Sequence, residues 1–256
     1  MLVAAALVPD TALLVPGAAG TADPVADLRE AALRAVAAAV AGAGTVVVVA
    51  PGRAVAEITG TVRGSLGAAG VPDAMLGWPV PERTLGGPPD GSPRPGDSAD
   101  GAPSLGVPAA VALHLLARAG WGGPLRVLEV ADADDLAARG RALVAHDDVS
   151  LVVVGSGSGR HGPDAPLADD PRAPAFDEHV LAALADGGPH ARADLAAIDP
   201  AMAGELAVTG RAPWQVLLGA VGDADVRATL LAAGTPSGAQ HAVALWSVAG
   251  GPASGG

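Results

Sequence analysis

The 256-residue sequence contains no cysteine, lysine, asparagine or tyrosine, and its aromatic residues are four tryptophans and one phenylalanine. The absence of cysteine excludes disulfides and thiolate metal sites, and it agrees with an expected cytoplasmic location. A core with so few large rings must pack small side chains, and alanine and valine supply much of the apolar half of the chain. This composition is typical of a GC-rich genome, so the abundance of alanine or glycine by itself indicates no function.

Positive charge is also scarce, with 15 basic against 27 acidic residues and a net charge of −12. Nucleic acid is not expected as a partner, because neutralising phosphates requires clustered Lys or Arg. The apolar start "MLVAAALVPDTALLVPG" has no basic n-region and is interrupted by Pro9 and Asp10, which argues against a signal peptide. No apolar run is long enough to span a bilayer, so we expect no membrane association. The oligomeric state stays open.

Short β-branched runs alternate with segments of helical periodicity, which favours an α/β fold with an at least partly parallel sheet. Asp23 followed by Pro24 predicts a helix start. The segment 54–69 has no clear assignment. The predicted strands are 2–8, 45–50, 125–130 and 150–155, and the predicted helices are 24–42, 108–119 and 132–146.

The segment 79–108 contains eight prolines and six glycines, which predicts an irregular loop inserted into a single domain spanning 1–250. Further along, Phe176, Val180 and Leu184 share one helix face, and Asp199-Pro200 predicts another helix start. A helix over 212–222 and a hairpin around 235–238 follow. The residues 251–256 are expected to form a disordered tail.

The stretch "LVVVGSGSGRHGP" (151–163) runs from a strand through a glycine–serine loop to a histidine. Gly157, Gly159 and Gly162 match the dinucleotide pattern, but that motif needs a following helix, and four prolines follow here instead. A nucleophile elbow needs serine at the centre of G-x-S-x-G, and neither Gly157 nor Ser158 completes that pattern. His161 is placed where ligands bind in open α/β sheets, beyond the carboxyl ends of the strands, and histidine suits acid–base chemistry.

The histidines show no HExxH spacing, although a site assembled from distant histidines and carboxylates remains open. For each histidine, a surface position or a satisfied core position is the expected outcome. The six are His114, His146, His161, His179, His190 and His241.

Several stretches together resemble the class III extradiol ring-cleavage dioxygenases of the subunit-B type, and more closely an alanine-rich actinobacterial branch of them. In order, these are "VAAALVPDTALLVPG", "VVVVAPGR", "VVVGSGSGRHG" with "APAFDEHVLAALADG", and "IDPAMAGELAVTGRAPWQVLLGA". Each motif has modest specificity, but their order and spacing cover most of the chain.

The resemblance implies an α/β fold, non-haem Fe(II) held by two histidines and a glutamate, and a further catalytic histidine. His161 matches the catalytic histidine. Asp10-Thr11 occupies the first histidine position, Pro51-Gly52-Arg53 the second, and Thr209-Gly210-Arg211 the glutamate position, with Glu205 as the nearest acid. Because Fe(II) in such enzymes needs a facial triad, the resemblance supports the fold and argues against the chemistry.

The sequence therefore predicts a dioxygenase-like protein with a degenerate metal site and little or no ring-cleaving activity, and no cofactor unless Fe(II) chemistry survives. The expected pocket is edged by Asp10, Arg53, Ser158 and Arg160, with His161 catalytic, and it would take a small anionic or aromatic molecule. Arg53 or Arg160 would bind an anion. An active dioxygenase with an unconventional ligand set, a metal-free small-anion or protein-binding module, and a dinucleotide enzyme remain the alternatives.

Overall fold

A computed structural model describes residues 1–86, 105–165 and 167–248, and its centre is a seven-stranded mixed sheet with the order β3-β6-β2-β7-β1-β9-β8. The four inner strands β6, β2, β7 and β1 are parallel, whereas β3, β9 and β8 are antiparallel to their neighbours. A separate hairpin joins β4 and β5. The strands are β1 (Leu2–Val8), β2 (Thr45–Pro51), β3 (Ala56–Ile58), β4 (Gly60–Arg63), β5 (Glu82–Leu85), β6 (Leu125–Val130), β7 (Val149–Val154), β8 (Val226–Gly234) and β9 (His241–Val248).

Helices cover both faces of the sheet, which is why the inner strands are apolar along most of their length. On one face, alternate residues of β1, β2 and β7 pack against α1 and α2. On the other, the intervening residues pack against α4, α5 and α7. The helices are α1 (Ala26–Val40), α2 (Val107–Arg118), α3 (Leu136–Leu143), α4 (Ala173–Asp186), α5 (Pro189–Ala196), α6 (Pro200–Glu205) and α7 (Arg211–Val221).

The predicted α/β class and partly parallel sheet are confirmed, and so is the C-terminal hairpin of β8 and β9. Asp199 caps α6 as expected, accepting a hydrogen bond from the Ala201 amide. The predicted cap at Asp23 is wrong: α1 begins at Ala26 without a side-chain cap, because the Asp23 carboxylate instead accepts two hydrogen bonds from the Arg29 guanidinium. The helix predicted over 132–146 is shorter, and α5 was not predicted.

The predicted irregular loop 79–108 is partly regular. Strand β5 lies inside it and α2 begins at Val107. The Arg83 guanidinium fixes β5 to the body of the protein by donating to the carbonyls of Trp121 and Gly123, at 2.8 and 2.6 Å. Residues 87–104 and the predicted tail 251–256 lie outside the described residues. Within the described part of the chain, no helix combines the length and the apolar character needed to cross a membrane.

Candidate functional site

Three neighbouring strands bring polar side chains together at the carboxyl edge of the parallel strands. Residue 8 of β1 pairs with residue 154 of β7, and extending that register by two residues reaches Asp10 and Ser156. Strand β9 runs antiparallel to β1, with Leu7 opposite Ala244, so the first residue of β9, His241, lies at the same edge. The sheet register alone therefore assembles Asp10, Ser156 and His241.

The hydroxyl of Ser156 joins the other two side chains. Its Oγ lies 2.5 Å from Oδ1 of Asp10 and 2.8 Å from Nδ1 of His241. The backbone amide of Asp10 also approaches this oxygen, at 3.4 Å. Thr209, just before α7, fixes the backbone of Ser156, because the Thr209 Oγ1 accepts a hydrogen bond from the Ser156 amide at 2.8 Å.

Burial determines the charge of His241, which is only 4% exposed. Desolvation lowers the pKa of its imidazole, and the negative charge of Asp10 opposes this more weakly. The ring is therefore neutral near neutral pH, with one nitrogen as donor and the other as acceptor.

A cleft of about 370 Å³ opens beside these three side chains. Among the described residues that line it, Asp10 is the one charged side chain. The lining residues are Asp10, Thr11, Leu13, Ser156, Gly157, Gly159, Leu167, Ala207, Thr209, Pro236, Ser237, Ala239 and His241. A mostly apolar wall with a few convergent polar groups is typical of a small-molecule site.

Two residues of the cleft wall have a strained backbone. Ala207 and Ser237 have φ of 57° and 54°, and within the ranges 1–86, 105–165 and 167–248 they are the two non-glycine residues with positive φ. Ala207 ends α6 in a glycine-type cap, with the Val208 amide donating to the Ala203 carbonyl. Such strain costs about 1–2 kcal/mol per residue and clusters at functional sites.

We expect Ala207→Gly to stabilise the protein, because glycine adopts positive φ without a steric penalty. The gain should be about 1 kcal/mol, which corresponds to a rise of about 2–4 °C in Tm for a chain of this size. Differential scanning calorimetry measures it. Ala193→Gly, at an exposed position inside α5, is the matched control and should lower Tm. A lower Tm for both variants would show that Ala207 is not strained.

The glycine–serine loop forms one wall of the cleft and is fixed by two partners. It pairs with the segment before β9: the Gly157 amide donates to the Gln240 carbonyl, and the His161 amide donates to the Gly238 carbonyl, both at 2.9 Å. On the other side, Oδ1 of Asp177 in α4 accepts a hydrogen bond from the Ser158 amide at 2.9 Å.

His161 faces Asp177 rather than the cleft. Its Nε2 lies 2.6 Å from Oδ2 of Asp177, and it is absent from the cleft lining. Asp177 is 1% exposed, and burial raises the pKa of its carboxyl, partly offset by the hydrogen bond from His161. The carboxylate that accompanies His161 is therefore Asp177 and not Asp10.

The two arginines predicted at the site do not line the cleft either. Arg160 donates from Nη1 to the Ala168 carbonyl at 2.9 Å, and Arg53 is exposed in the turn after β2. The side chain of Ser158 is buried and its Oγ accepts from the Arg160 amide. Of the five predicted site residues, the structure places Asp10 in the cleft, and Arg53, Ser158, Arg160 and His161 outside its lining.

The positions that would hold iron by resemblance do not fit a facial triad. Arg211 is a cation that binds Asp132 at 2.6 Å, and Glu205 binds Arg172 at 2.7 Å. Asp10 and His241 give the cleft two side chains that can bind a metal ion, one fewer than a triad needs. Across the described residues, no three His, Asp or Glu side chains are arranged to hold a metal ion.

Four residues of this region were not predicted from sequence as parts of a site: Ser156, His241, Thr209 and Asp177. For His241 part of a signal was present in the sequence, because it begins a predicted strand. The first residue of a strand lies at the same sheet edge as the last residue of a neighbour that runs antiparallel to it. Nothing in the sequence identified β1 as that neighbour. Of the other histidines, His114 is buried and bonded to the Gly64 carbonyl at 2.8 Å, and His146, His179 and His190 are exposed.

The dinucleotide pattern lacks the helix that it requires. The first helix after Gly162 is α4, which begins at Ala173, so no helix N-terminus directly follows the glycines of this loop. Gly157 has a packing role instead, because a Cβ there would lie 2.3 Å from Oδ1 of Asp177.

Comparison with known proteins gives a similarity of fold. No protein-family model and no curated protein matches the sequence. Among solved structures, the chain is similar to an uncharacterized protein from Escherichia coli K12, with a TM-score of 0.50 and 16% sequence identity. The alignment covers 96% of this chain and 99% of that chain, so the similarity extends over the whole α/β architecture.

Proposed function

We propose that this chain is a class III extradiol dioxygenase-like protein of the cytoplasm that binds a small molecule in the cleft without iron chemistry. The observation that carries the proposal is the hydrogen-bonded group of Asp10, Ser156 and His241 at one end of a mostly apolar cleft. The volume of about 370 Å³ lies within the range of ligand pockets.

The side chains around the cleft favour binding over the oxidative reaction implied by the resemblance. Two of the three expected iron positions do not provide a ligand. The second histidine position is occupied by Gly52 and Arg53, which cannot ligate, and at the glutamate position Arg211 is a cation bound to Asp132. Ser156 also lies between Asp10 and His241 and uses its hydroxyl on both. These contacts support a metal-free site.

The lining favours an aromatic ligand over an anion. Leu13, Leu167 and Pro236 offer apolar surface, whereas Asp10 carries a negative charge. Arg53 and Arg160, the cations expected to bind an anion, are absent from the lining. Of the two ligand classes expected from sequence, the aromatic one is therefore the better supported.

Ligand-observed NMR with a mixture of small aromatic fragments, catechol included, tests the binding function. We expect fragments to bind the wild-type protein and to be excluded from the Ala239→Leu variant, in which the larger side chain fills the cleft. Ala233→Leu, at an exposed position on β8 outside the cleft lining, is the matched control and should bind like wild type. Binding that is equal in all three proteins, or absent from the wild type, would contradict the proposal.

A second measurement separates this function from an active dioxygenase. After anaerobic incubation with Fe(II) and desalting, we expect much less than one iron per chain by elemental analysis, and no consumption of catechol in air. Near-equimolar iron together with ring opening would restore the alternative of an iron enzyme with an unconventional ligand set.

A further inference from the structure

We propose that the cleft recognises a hydrogen-bond donor on a neutral or cationic molecule, with Nε2 of His241 and Oδ2 of Asp10 as the acceptors and with Ser156 as the positioning residue. This inference rests on the proposed binding function and specifies the chemistry of its ligand. It follows from the number of hydrogens and lone pairs in the polar group.

Ser156 has one hydroxyl hydrogen and two possible recipients for it, Asp10 and His241. The Asp10 carboxylate is the stronger acceptor, because hydrogen bonds to ionised groups are shorter and stronger, and its Oδ1 is the nearer atom at 2.5 Å. The hydroxyl therefore donates to Asp10. Its lone pairs then accept from the Asp10 amide at 3.4 Å and from Nδ1 of His241 at 2.8 Å.

This arrangement fixes the tautomer of His241. Since Nδ1 must carry a hydrogen to donate to Ser156, and burial keeps the ring neutral, Nε2 holds a bare lone pair. Within the described residues Nε2 has no hydrogen-bond partner. The atom is not fully buried, so it is accessible from outside the protein. Because His241 lines the cleft, Nε2 presents an acceptor to its interior.

Asp10 adds a second acceptor. Its Oδ2 has no hydrogen-bond partner within the described part of the chain, and the atom is not fully buried. Asp10 also lines the cleft. A hydroxyl or an ammonium group satisfies both acceptors. A carboxylate brings further acceptors and a like charge against Asp10, which opposes its binding.

Four benzyl-type probes test the inference by calorimetric titration: benzyl alcohol, benzylamine, benzoate, and ethylbenzene as the isostere of the alcohol. We expect the alcohol and the amine to bind and benzoate to bind at least tenfold more weakly. In His241→Phe, the preference for alcohol over ethylbenzene should fall by about tenfold, the value of one hydrogen bond made in a dry site. The ratio of two ligands cancels any general change in the cleft.

The tautomer is tested without ligand by the imidazole ¹⁵N resonances of the labelled protein. We expect His241 in wild type to show a protonated Nδ1 and a bare Nε2. In Asp10→Asn the carboxylate is gone, the serine hydroxyl is free to donate to Nδ1, and the hydrogen should move to Nε2. The preference between benzylamine and benzoate should then reverse. Asp10→Asn conserves shape, so this readout does not depend on a destabilising change.

The outcomes separate the two proposals. A protonated Nε2 in wild type, or equal loss of alcohol and ethylbenzene binding in His241→Phe, overturns the donor rule while fragment binding stands. Failure of all four probes, in a protein that binds no aromatic fragment, overturns both.

Discussion

Replacing Gly219 by alanine should strongly destabilise the protein, by about 3 kcal/mol, at the upper end of the cost of overpacking a core. Helices α3 and α7 touch backbone to backbone at this point. A Cβ on Gly219 would lie 2.0 Å from the carbonyl oxygen of Ala137, and a Cβ on Gly140 would lie 2.0 Å from that of Val216. Backbone atoms cannot rotate away as a side chain does, so the helices must separate.

Urea unfolding of Gly219→Ala and Gly204→Ala measures this effect, with both substitutions made inside helices. A methyl group added to Gly204 in α6 would have no atom within 4 Å beyond the adjoining residues and the backbone of its own helix, so its replacement should stabilise by about 0.5–1 kcal/mol through backbone entropy. The intrinsic helix preference is the same in both variants, and the difference between them therefore reports the close packing of α3 on α7. Similar midpoints for both would mean that these helices do not approach so closely.

Loss of the Asp177 side chain should be the next largest effect, at about 2–3 kcal/mol, because Asp177→Ala leaves the buried amide of Ser158 without its acceptor and removes the partner of His161. A buried donor without a partner costs about 1–3 kcal/mol. The glycine–serine loop should also lose its fixed position, so the variant is expected to bind aromatic fragments more weakly than wild type.

Asp177→Asn is the matched control, because its amide oxygen still accepts from Ser158 and its nitrogen can donate to the His161 ring. The two variants also differ from wild type in pH dependence. Burial raises the pKa of Asp177 in the folded protein, so between the usual value of about 3.9 and the raised value the folded state binds more protons than the unfolded state. Stability contributed by the protonated carboxyl is therefore present at low pH and is lost as pH rises through the folded pKa.

Urea unfolding as a function of pH tests this sign. The stability of wild type relative to Asp177→Asn should decrease as pH rises across that window, since asparagine does not titrate. A relative stability that instead increases with pH would show that His161 and the Ser158 amide lower the pKa of Asp177 more than burial raises it.

Hydrophobic pattern and punctuation determined most of the sheet. The run at 45–50 is mostly β-branched, and the run at 125–130 is apolar apart from Arg126 and Glu129, so each could be assigned from sequence and coincides with β2 or β6. Proline and glycine beside these runs marked where the strands begin or stop. The hairpin of β8 and β9 followed from two apolar runs separated by a Thr-Pro-Ser-Gly turn.

The same patterns failed where long-range contacts decide the structure. Asp23 has the sequence of a helix cap, but the Arg29 guanidinium competes for its carboxylate. Strand β5 lies in a segment rich in proline and glycine, and it is held by pairing with β4 and by the contacts of Arg83. Neither the contact of Arg29 with Asp23 nor the contacts that hold β5 are visible in the local sequence pattern that predicts a cap or a strand.

The sequence by itself determined that a polar loop follows β7 and that Asp10 follows β1, and parallel pairing placed both at one edge. Only the tertiary structure decided the partners. The insertion of β9 beside β1 brings His241 to Ser156, and the packing of α4 places Asp177 beside His161. The physical reason is that register and helix packing join residues far apart in the chain, such as Ser156 and His241. The sequence contains 36 glycines, and composition likewise cannot show which of them are needed for packing. Gly219 lies against the backbone of a neighbouring helix, whereas Gly204 does not.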